Sequence, residues 1–228
     1  MVRRCRGRES DVDVDRQGAA RRGAARTMSG ALALASVTAV LKDLLENGLA
    51  ERGVTGELGG DTMVSALPPD RIASGTDERP QLNLFLYHVT PHTALRALGG
   101  RVTGGNATGG LALDLHYLLS VYGAHDFQTE ILLGHALHLL HAHPVLGREH
   151  IRSSLRSLSA PHEGRVLSPA VAALGASGLA DTVESLRIVP EFLTTEEMSR
   201  LWSAFQARYR PSATYRVSAA VIDQAVAV

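Results

Sequence analysis

The chain has 228 residues, no net formal charge and 45% apolar residues, a composition typical of a globular protein with a hydrophobic core. Cys5 is the only cysteine, which excludes an internal disulfide and a structural zinc site built on cysteines. No segment reaches the ~18–20 uninterrupted apolar residues that span a bilayer, so we expect no membrane insertion.

Charge is unevenly distributed along the chain. Residues 1–27 contain eight Arg and four acidic residues, whereas the remainder contains 15 basic and 19 acidic residues. A net acidic body is a poor match for nucleic acid, because neutralisation of phosphates supplies most of that affinity. Residues 1–27 lack a periodic apolar pattern and the apolar centre of a secretory signal. We predict either a disordered basic arm that contacts an acidic partner or a true start of translation at Met28.

The first half of the chain predicts one helix and three strands. Leucine and valine recur at helical spacing over residues 31–49, and Gly48 marks the expected end of that helix. Residues 62–67 predict a short strand that two prolines stop. Residues 82–90 and 111–122 predict two longer strands, which a glycine-rich linker joins as a long hairpin with a mobile tip.

The second half predicts further elements in this order: helices at 127–143 and 148–158, a short turn opened by Ser168 and Pro169, a strand at 183–189, a helix at 195–209 and a strand at 214–222. Asp126 is the expected N-cap of the first of these helices. Thr194 and Glu197 form a capping box at the start of the last helix. Because strands and helices do not alternate regularly, we predict an α+β fold with a mostly antiparallel or mixed sheet packed with helices.

Four histidines near the end of one predicted helix suggest a metal site; they are His135, His138, His141 and His143. Neighbours three residues apart share a face, but the first three together spread over ~120° of the helix. The helix has no HExxH pattern and no carboxylate at a matching position. We therefore favour a solvated or interface-facing row. A small metal-dependent hydrolase that uses His135–His143 is kept as the alternative function.

Other patterns associated with catalysis are weak. Ser177 lacks the context of a GxSxG elbow. Asp114 and His116 share a strand face and could orient one another, but such side chains are more often cross-strand partners. The glycines of residues 99–110 are not followed by Gly-Lys-Ser/Thr, and they precede a strand rather than a helix. We expect no catalytic residue, no cofactor and no resident metal.

Several spaced segments resemble one known family. They are Val64–Ile72, Gln81–Tyr87, Val89–Pro91, Leu113–Leu119, Tyr122–Gly123, Leu132–Gly134, His143–Leu146, Leu201–Ser203 and the region near Tyr215. In this order they resemble the tail-terminator, or cap, proteins of phage-tail-like contractile injection systems of the virulence-cassette and antifeeding-prophage type. The resemblance covers about residues 31–222. The arm 1–27 and the glycine-rich tip 99–110 differ from the family.

The resemblance implies a single tail-terminator-like domain over residues 28–228 with a structural rather than an enzymatic function. Members of the family cap the growing end of the inner tube and outer sheath, as a six-fold ring that stops polymerisation and holds the sheath extended. The implied partners are other copies of the chain and the sheath and tube subunits, without nucleic acid. The implied location is the cytoplasm and then the injection particle, whether it stays inside the cell or is released.

We also predict the residues that form the interface. They are Asn83, Phe85, Tyr87 and Pro91 on the strand that is apolar on both faces, and Tyr215 and Val217 on the last strand. The last strand, 214–222, is one candidate for an exposed edge to which sheath subunits could add a strand.

Overall fold

Six strands form one mixed sheet, and helices pack against both of its faces. In the computed structural model the described residues are 32–73, 75, 78–92, 112–160, 169–175 and 177–221. The predicted basic arm, the predicted glycine-rich tip and Ser168 lie outside these residues. No helix in the described part of the chain has the length and apolar character needed to cross a membrane.

The helices and strands confirm the predicted α+β class. The helices are α1 (32–51), α2 (Val54–Leu58), α3 (Gln128–Ala142), α4 (Arg148–Ser159), α5 (Pro169–Gly175), α6 (Leu179–Thr182) and α7 (Thr195–Ala204), and a 3₁₀ turn spans Pro69–Arg71. The strands are β1 (Met63–Ser65), β2 (Gln81–Pro91), β3 (Leu113–Tyr122), β4 (Val145–Gly147), β5 (Val183–Glu191) and β6 (Ser212–Val221).

The strand order in the sheet is β1-β2-β3-β6-β5-β4. β1 is parallel to β2, and all the other neighbours are antiparallel, so the predicted mostly antiparallel or mixed sheet is confirmed. The predicted edge position of the last strand is wrong. β6 pairs with β3 on one side and with β5 on the other, so both of its edges are occupied.

The main core lies on one face of β3, whose predicted strand is confirmed. Leu115, Tyr117, Leu119 and Val121 are buried there against the helices. Tyr117 is fully buried, and its hydroxyl lies 2.9 Å from Thr38 Oγ1 of α1. Burial raises the pKa of this hydroxyl far above its ordinary value, although the bond to Thr38 opposes the shift. The bond leaves the phenol satisfied inside an apolar environment.

A smaller core lies on the opposite face of the sheet, under α7. Leu118 of β3 packs there against Met198 and Trp202. The predicted capping box is confirmed, because Glu197 N donates to Thr194 Oγ1 at 3.2 Å and Thr194 N donates to a Glu197 carboxylate oxygen at 2.8 Å.

The helix α7 ends at Ala204 rather than at the predicted residue 209. Gln206 adopts the left-handed conformation with φ 53°, and Ala207 N donates to Trp202 O at 3.5 Å. This closure resembles a Schellman motif and satisfies the last carbonyls of the helix.

Two other predicted helix boundaries differ from the structure. α1 continues past Gly48 to residue 51. Asp126 is exposed and does not cap α3, because Phe127 takes the N-cap position with φ 67° and no side chain caps the helix. Instead Gln128, the first helical residue, accepts a hydrogen bond from His125 N at 3.1 Å.

Glu78 connects three segments at one end of the sheet. Its side chain is 5% exposed, and it accepts hydrogen bonds from Gly123 N at 2.9 Å and from Arg210 Nη2 at 2.7 Å. The Arg210 guanidinium also lies over the Tyr122 ring, 5.5 Å from its centroid. The carboxylate thereby joins the segment before β2 to the end of β3 and to the linker between α7 and β6.

Gly48 has a packing role that gives a testable prediction. A Cβ at this position would lie 2.5 Å from Leu139 Cδ2, so the leucine must move. We expect Gly48→Ala to lower the free energy of unfolding by about 1 kcal/mol, because overpacking of about 1–3 kcal/mol exceeds the helix-propensity gain of about 1 kcal/mol. Gly134→Ala in α3 is the matched control, since a Cβ there meets nothing within 4 Å. Urea unfolding should show stabilisation for the control only, and equal stabilisation of both variants would contradict the packing role.

Candidate functional site

The outer edge of β2 is the most extended open edge of the sheet in the described part of the chain. β2 pairs with β3 along its length, but it pairs with β1 only through Gln81, Leu82 and Asn83. From Leu84 to Pro91 the outer side of the strand therefore meets no other strand among the described residues. Unpaired backbone groups on such an edge can bind an added strand. We call residues 84–91 the β2 edge.

Backbone directions show what the β2 edge can bind. His92 N donates to Ala112 O at 2.9 Å, towards the β3 side. Because alternate residues of a strand point to opposite sides, Pro91 and Val89 point outwards. Pro91 has no N–H to offer, and the pairing with β3 shifts register between Leu86 and His88, as in a β-bulge. The edge is open but restricted, since the proline removes a donor and the bulge interrupts the pairing pattern.

Two aromatic residues, Phe85 and Tyr87, lie in the first half of the β2 edge. The rings of Phe85 and Phe205 meet edge-to-face, with centroids 5.4 Å apart. Tyr87 is half-buried at the border of the small core under α7. Burial raises the pKa of its hydroxyl, and the carboxylates of Glu191 and Glu197 raise it further. Tyr87 is therefore a neutral hydrogen-bonding group in the physiological pH range.

Polar residues continue along the same face of the sheet beyond α7. His116 Nδ1 lies 2.8 Å from Glu191 Oε2, and its Nε2 lies 2.9 Å from Thr90 Oγ1. The His88 and His116 rings are tilted neighbours with centroids 5.4 Å apart. One imidazole therefore links β2, β3 and β5 by side-chain contacts.

A second histidine–carboxylate pair lies next to the first. His92 Nδ1 is 2.8 Å from Asp114 Oδ1, and Ser218 Oγ donates to the same carboxylate oxygen. Burial favours the protonated form of Asp114, but the hydrogen bonds from Ser218 and His92 and the charges of His92 and Arg216 outweigh it. The pKa of the carboxyl is lowered as a result.

Glu191, His116 and Thr90 follow the order carboxylate, imidazole and hydroxyl that is found in nucleophilic catalysis. A substrate pocket beside the hydroxyl is the further requirement. A cavity of about 340 Å³ in the described part of the chain lies elsewhere, between α1, α3 and α4, and Thr90 does not line it. The contacts run between side chains of β2, β3 and β5, so we interpret the three residues as cross-strand contacts that hold the edge strand. Asp114 and His116, which could have oriented one another, have different partners.

The structure separates the six predicted interface residues into two groups. Phe85 and Tyr87 are half-buried, and Pro91 is exposed. These three residues lie on the β2 edge and are at least partly accessible. The other three, Asn83, Tyr215 and Val217, are buried within the chain. For all six residues, participation in an interface with another subunit stays a prediction.

Asn83 is a structural residue by its contacts. Its Oδ1 accepts from Ser65 Oγ at 2.7 Å and from Leu67 N at 3.0 Å, and its Nδ2 donates to Leu67 O at 3.0 Å. Backbone pairing between β1 and β2 ends at Ser65, and the Asn83 side-chain amide bonds the backbone N–H and C=O of Leu67 beyond that point. A buried amide with three partners is satisfied, so it stabilises the packing of β1 against β2.

The predicted histidine row is divided among different partners. His135 Nε2 lies 3.0 Å from Glu57 Oε2, and His138 Nδ1 lies 2.9 Å from Arg52 Nη2. His143 Nδ1 lies 3.0 Å from Leu139 O. In the ranges that the structure describes, no three residues among His, Cys, Asp and Glu are arranged to hold a metal ion. The row therefore gives no support to the hydrolase alternative.

The sequence reasoning missed Phe192, which is 92% exposed directly after β5. Part of the signal was available, because a hydrophobic residue just before an N-cap often packs against its helix, and this role falls to Leu193 and not to Phe192. Glu191 was also missed, because its partner His116 is 75 residues away in the sequence.

Comparison with known proteins identifies one family. The sequence model of the Pvc16 N-terminal domain matches residues 36–228, nearly all of the chain from α1 onwards. A comparison with curated proteins found no match.

Two solved structures are similar to the chain. One is the sheath/tube terminator of PVC, an extracellular contractile injection system, in the extended state; the TM-score is 0.40 at 16% identity, with 78% of this chain and 57% of that chain covered. The other is the tube terminating cap of the anti-feeding prophage; the TM-score is 0.43 at 15% identity, with 78% of this chain and 55% of that chain covered. The chain thus spans little more than half the length of these two proteins.

The lowered pKa of Asp114 predicts an acid-dependent loss of stability. A carboxyl with a lower pKa in the folded state stabilises the fold fully above its ordinary pKa of 3.8, and this stabilisation is lost as the pH falls through the lowered folded-state value. We expect the urea midpoint of the parent chain to fall more steeply below pH ~4 than that of Asp114→Asn. Asp61→Asn, which changes an exposed carboxyl, should keep the parent profile. Identical acid profiles for the parent and Asp114→Asn would contradict the prediction.

Proposed function

The chain belongs to the family of Pvc16 N-terminal domains, and from this premise we propose that it terminates the tube and sheath of a contractile injection particle. In this function the chain acts as a structural cap without catalysis. It ends polymerisation and stabilises the extended sheath. Its partners are other copies of itself and the last tube and sheath subunits, and it is assembled in the cytoplasm before it becomes part of the particle.

The family match over residues 36–228 is the observation that carries the proposal. The match includes every strand of the sheet and nearly all of α1, so it concerns the whole folded unit and not a local motif. The role itself is the one stated in the names of the two solved proteins, a sheath/tube terminator and a tube terminating cap. The spaced segments of the sequence indicate the same family.

A cap needs a surface that recognises the polymer and a geometry that prevents further growth. We propose a six-fold ring, because closed rotational symmetry leaves no free end for another subunit and can match a six-fold tube. The β2 edge is the surface that we assign to the sheath. A strand from a sheath subunit would pair with its outward backbone groups, while the half-exposed Phe85 and Tyr87 contact the side chains of that strand.

Loss of the chain tests the function directly. We expect a deletion strain to lose sheathed particles or to make particles of irregular length, because nothing stops polymerisation at a fixed layer. Negative-stain electron microscopy measures both effects, and complementation with the intact chain should restore a single length. Regular sheathed particles without the chain, or purified particles from which the chain is absent, would reject the proposal.

Removal of one outward N–H tests the β2 edge separately. Val89→Pro deletes an outward donor and leaves the pairing of β2 with β3 intact, since proline is tolerated at the outer side of an edge strand. We expect a folded chain that complements the deletion poorly, with most particles irregular. Val89→Ala, which shortens the side chain but keeps the N–H, should complement normally. Circular dichroism checks the fold of both variants, and full complementation by Val89→Pro would exclude strand addition at this position.

A further inference from the structure

Two neighbouring rows of side chains cross the sheet on the face that carries α7, beyond that helix. Each row contains residues that lie opposite one another on adjacent strands. The first row consists of His88, His116 and Arg216, and the second of Thr90, Asp114, Ser218 and Arg187. We call these residues the polar rows. His88 and Arg187 are exposed at opposite ends of the rows, so a partner can approach this surface.

Arg216, on the central strand β6, lacks a hydrogen-bond acceptor. Its Nε is buried, and no partner for this atom lies among the described residues. A guanidinium has several N–H donors and stays charged, so a buried donor without an acceptor costs stability. The residue as a whole is only partly buried, which leaves room for an acceptor from another molecule.

Arg187 adds a second guanidinium beside the first. It lies diagonally opposite Arg216 on the neighbouring strand, because Val189 pairs with Arg216 and follows Arg187 by two residues. Long side chains reach such diagonal neighbours. No ion pair holds either arginine in the part of the chain that the structure describes. Two like charges on adjacent strands repel one another, so an anion between them is favoured.

The two carboxylates nearest to these arginines are bonded to other groups. Asp114 Oδ1 lies 2.8 Å from His92 Nδ1 and accepts a hydrogen bond from Ser218 Oγ. Glu191 Oε2 lies 2.8 Å from His116 Nδ1. Within the described ranges, the ion pairs of both carboxylates are with histidine and not with arginine. The arginine donors thus stay available to an acceptor from outside the chain.

We propose that Arg187 and Arg216 bind carboxylate side chains of the sheath subunit that joins the β2 edge. This inference rests on the proposed cap function. The polar rows begin at His88 and Thr90 of the β2 edge, and Arg216 lies two strands, or ~10 Å, from it. A subunit that adds a strand to this edge therefore lies beside the rows. A carboxylate accepts two parallel N–H bonds from one guanidinium, which makes an acidic segment the fitting partner.

An acidic peptide tests the site on the intact chain without a particle. Fluorescein-labelled hexaglutamate is titrated with the chain, and fluorescence anisotropy gives the binding constant. The NMR signal of the Arg216 Nε–H, identified by its loss in Arg216→Lys, shows where the peptide binds. We expect saturable binding that shifts this signal and weakens as the salt concentration rises.

Variants that remove one charge show whether the two arginines are responsible. We expect Arg187→Gln to weaken hexaglutamate binding about threefold, as for an exposed charge pair, and Arg216→Gln to weaken it about tenfold. The matched control, Arg71→Gln with Arg208→Gln, removes two exposed charges elsewhere and should bind like the parent chain. Arg187→Gln alone, at an exposed position, preserves the test if the Arg216 variant is unstable.

Complementation of the deletion strain connects the site to the cap. We expect Arg187→Glu to restore few particles of regular length, whereas Arg208→Glu should complement like the parent chain. Regular particles in the deletion strain itself would reject the cap function. Full complementation by Arg187→Glu, in a strain that needs the chain for regular length, would reject only the contact with sheath carboxylates.

Other results in the purified system would also overturn the inference. One is hexaglutamate binding that is absent or that is equal for the parent chain and Arg187→Gln. Another is tighter binding of inorganic phosphate than of hexaglutamate, because the site would then take a free ion. A third is self-association in sedimentation velocity that Arg187→Gln abolishes, because the surface would then bind a second copy of the chain.

Discussion

Burial of both faces of β3 is the constraint on which the rest of the structure depends. Leu115, Tyr117 and Leu119 require helices on one face, and Leu118 requires α7 on the other. A strand that is covered on both faces needs elements packed above and below the sheet. β3 also has both edges paired, with β2 on one side and with β6, which comes last in the chain, on the other. The Glu78–Arg210 contact then fixes the linker through which the chain passes from α7 into β6.

The limited length of α7 determines what the second face can do. Ten residues cover only one end of that face, and beyond them the strands are held by hydrogen-bonded polar side chains instead of an apolar core. The contacts His92–Asp114 and His116–Glu191 satisfy these side chains by hydrogen bonding, and no helix is needed to cover this part of the sheet face. These contacts hold β2 on this face, while its outer backbone meets no strand among the described residues. Such contacts matter for recognition, because an edge that is already ordered loses less conformational entropy when a partner binds.

The sequence predicted those features that depend on local patterns. The capping box at Thr194 involves four consecutive residues, and the pattern that predicts strand β3 needs one segment only, so both could be read directly. Strand order could not be predicted in this way, because β6 is placed by pairing with strands far away in the chain. For the same reason the local pattern predicts a helix end at Gly48, whereas this glycine leaves room for the Leu139 side chain of another helix. In the candidate site, the sequence correctly predicted strand β2. The unpaired edge of β2 and the contact between His116 and Glu191 could not be predicted, because they depend on the order of strands in the folded sheet.

The restricted β2 edge suits the proposed cap function, which requires binding to a completed polymer layer and not to free subunits. Between Leu84 and Pro91 only alternate residues point outwards, and Pro91 lacks a donor. At a net ~0.5–1.5 kcal/mol for each backbone hydrogen bond, a few such bonds give only a weak contact with a single subunit. In the proposed ring, six weak contacts form together only when six partners are held with matching symmetry, and their combined affinity then greatly exceeds that of one contact. In the proposed cap, selectivity for the polymer end would thus follow from the weakness of each edge and not from any single strong interaction.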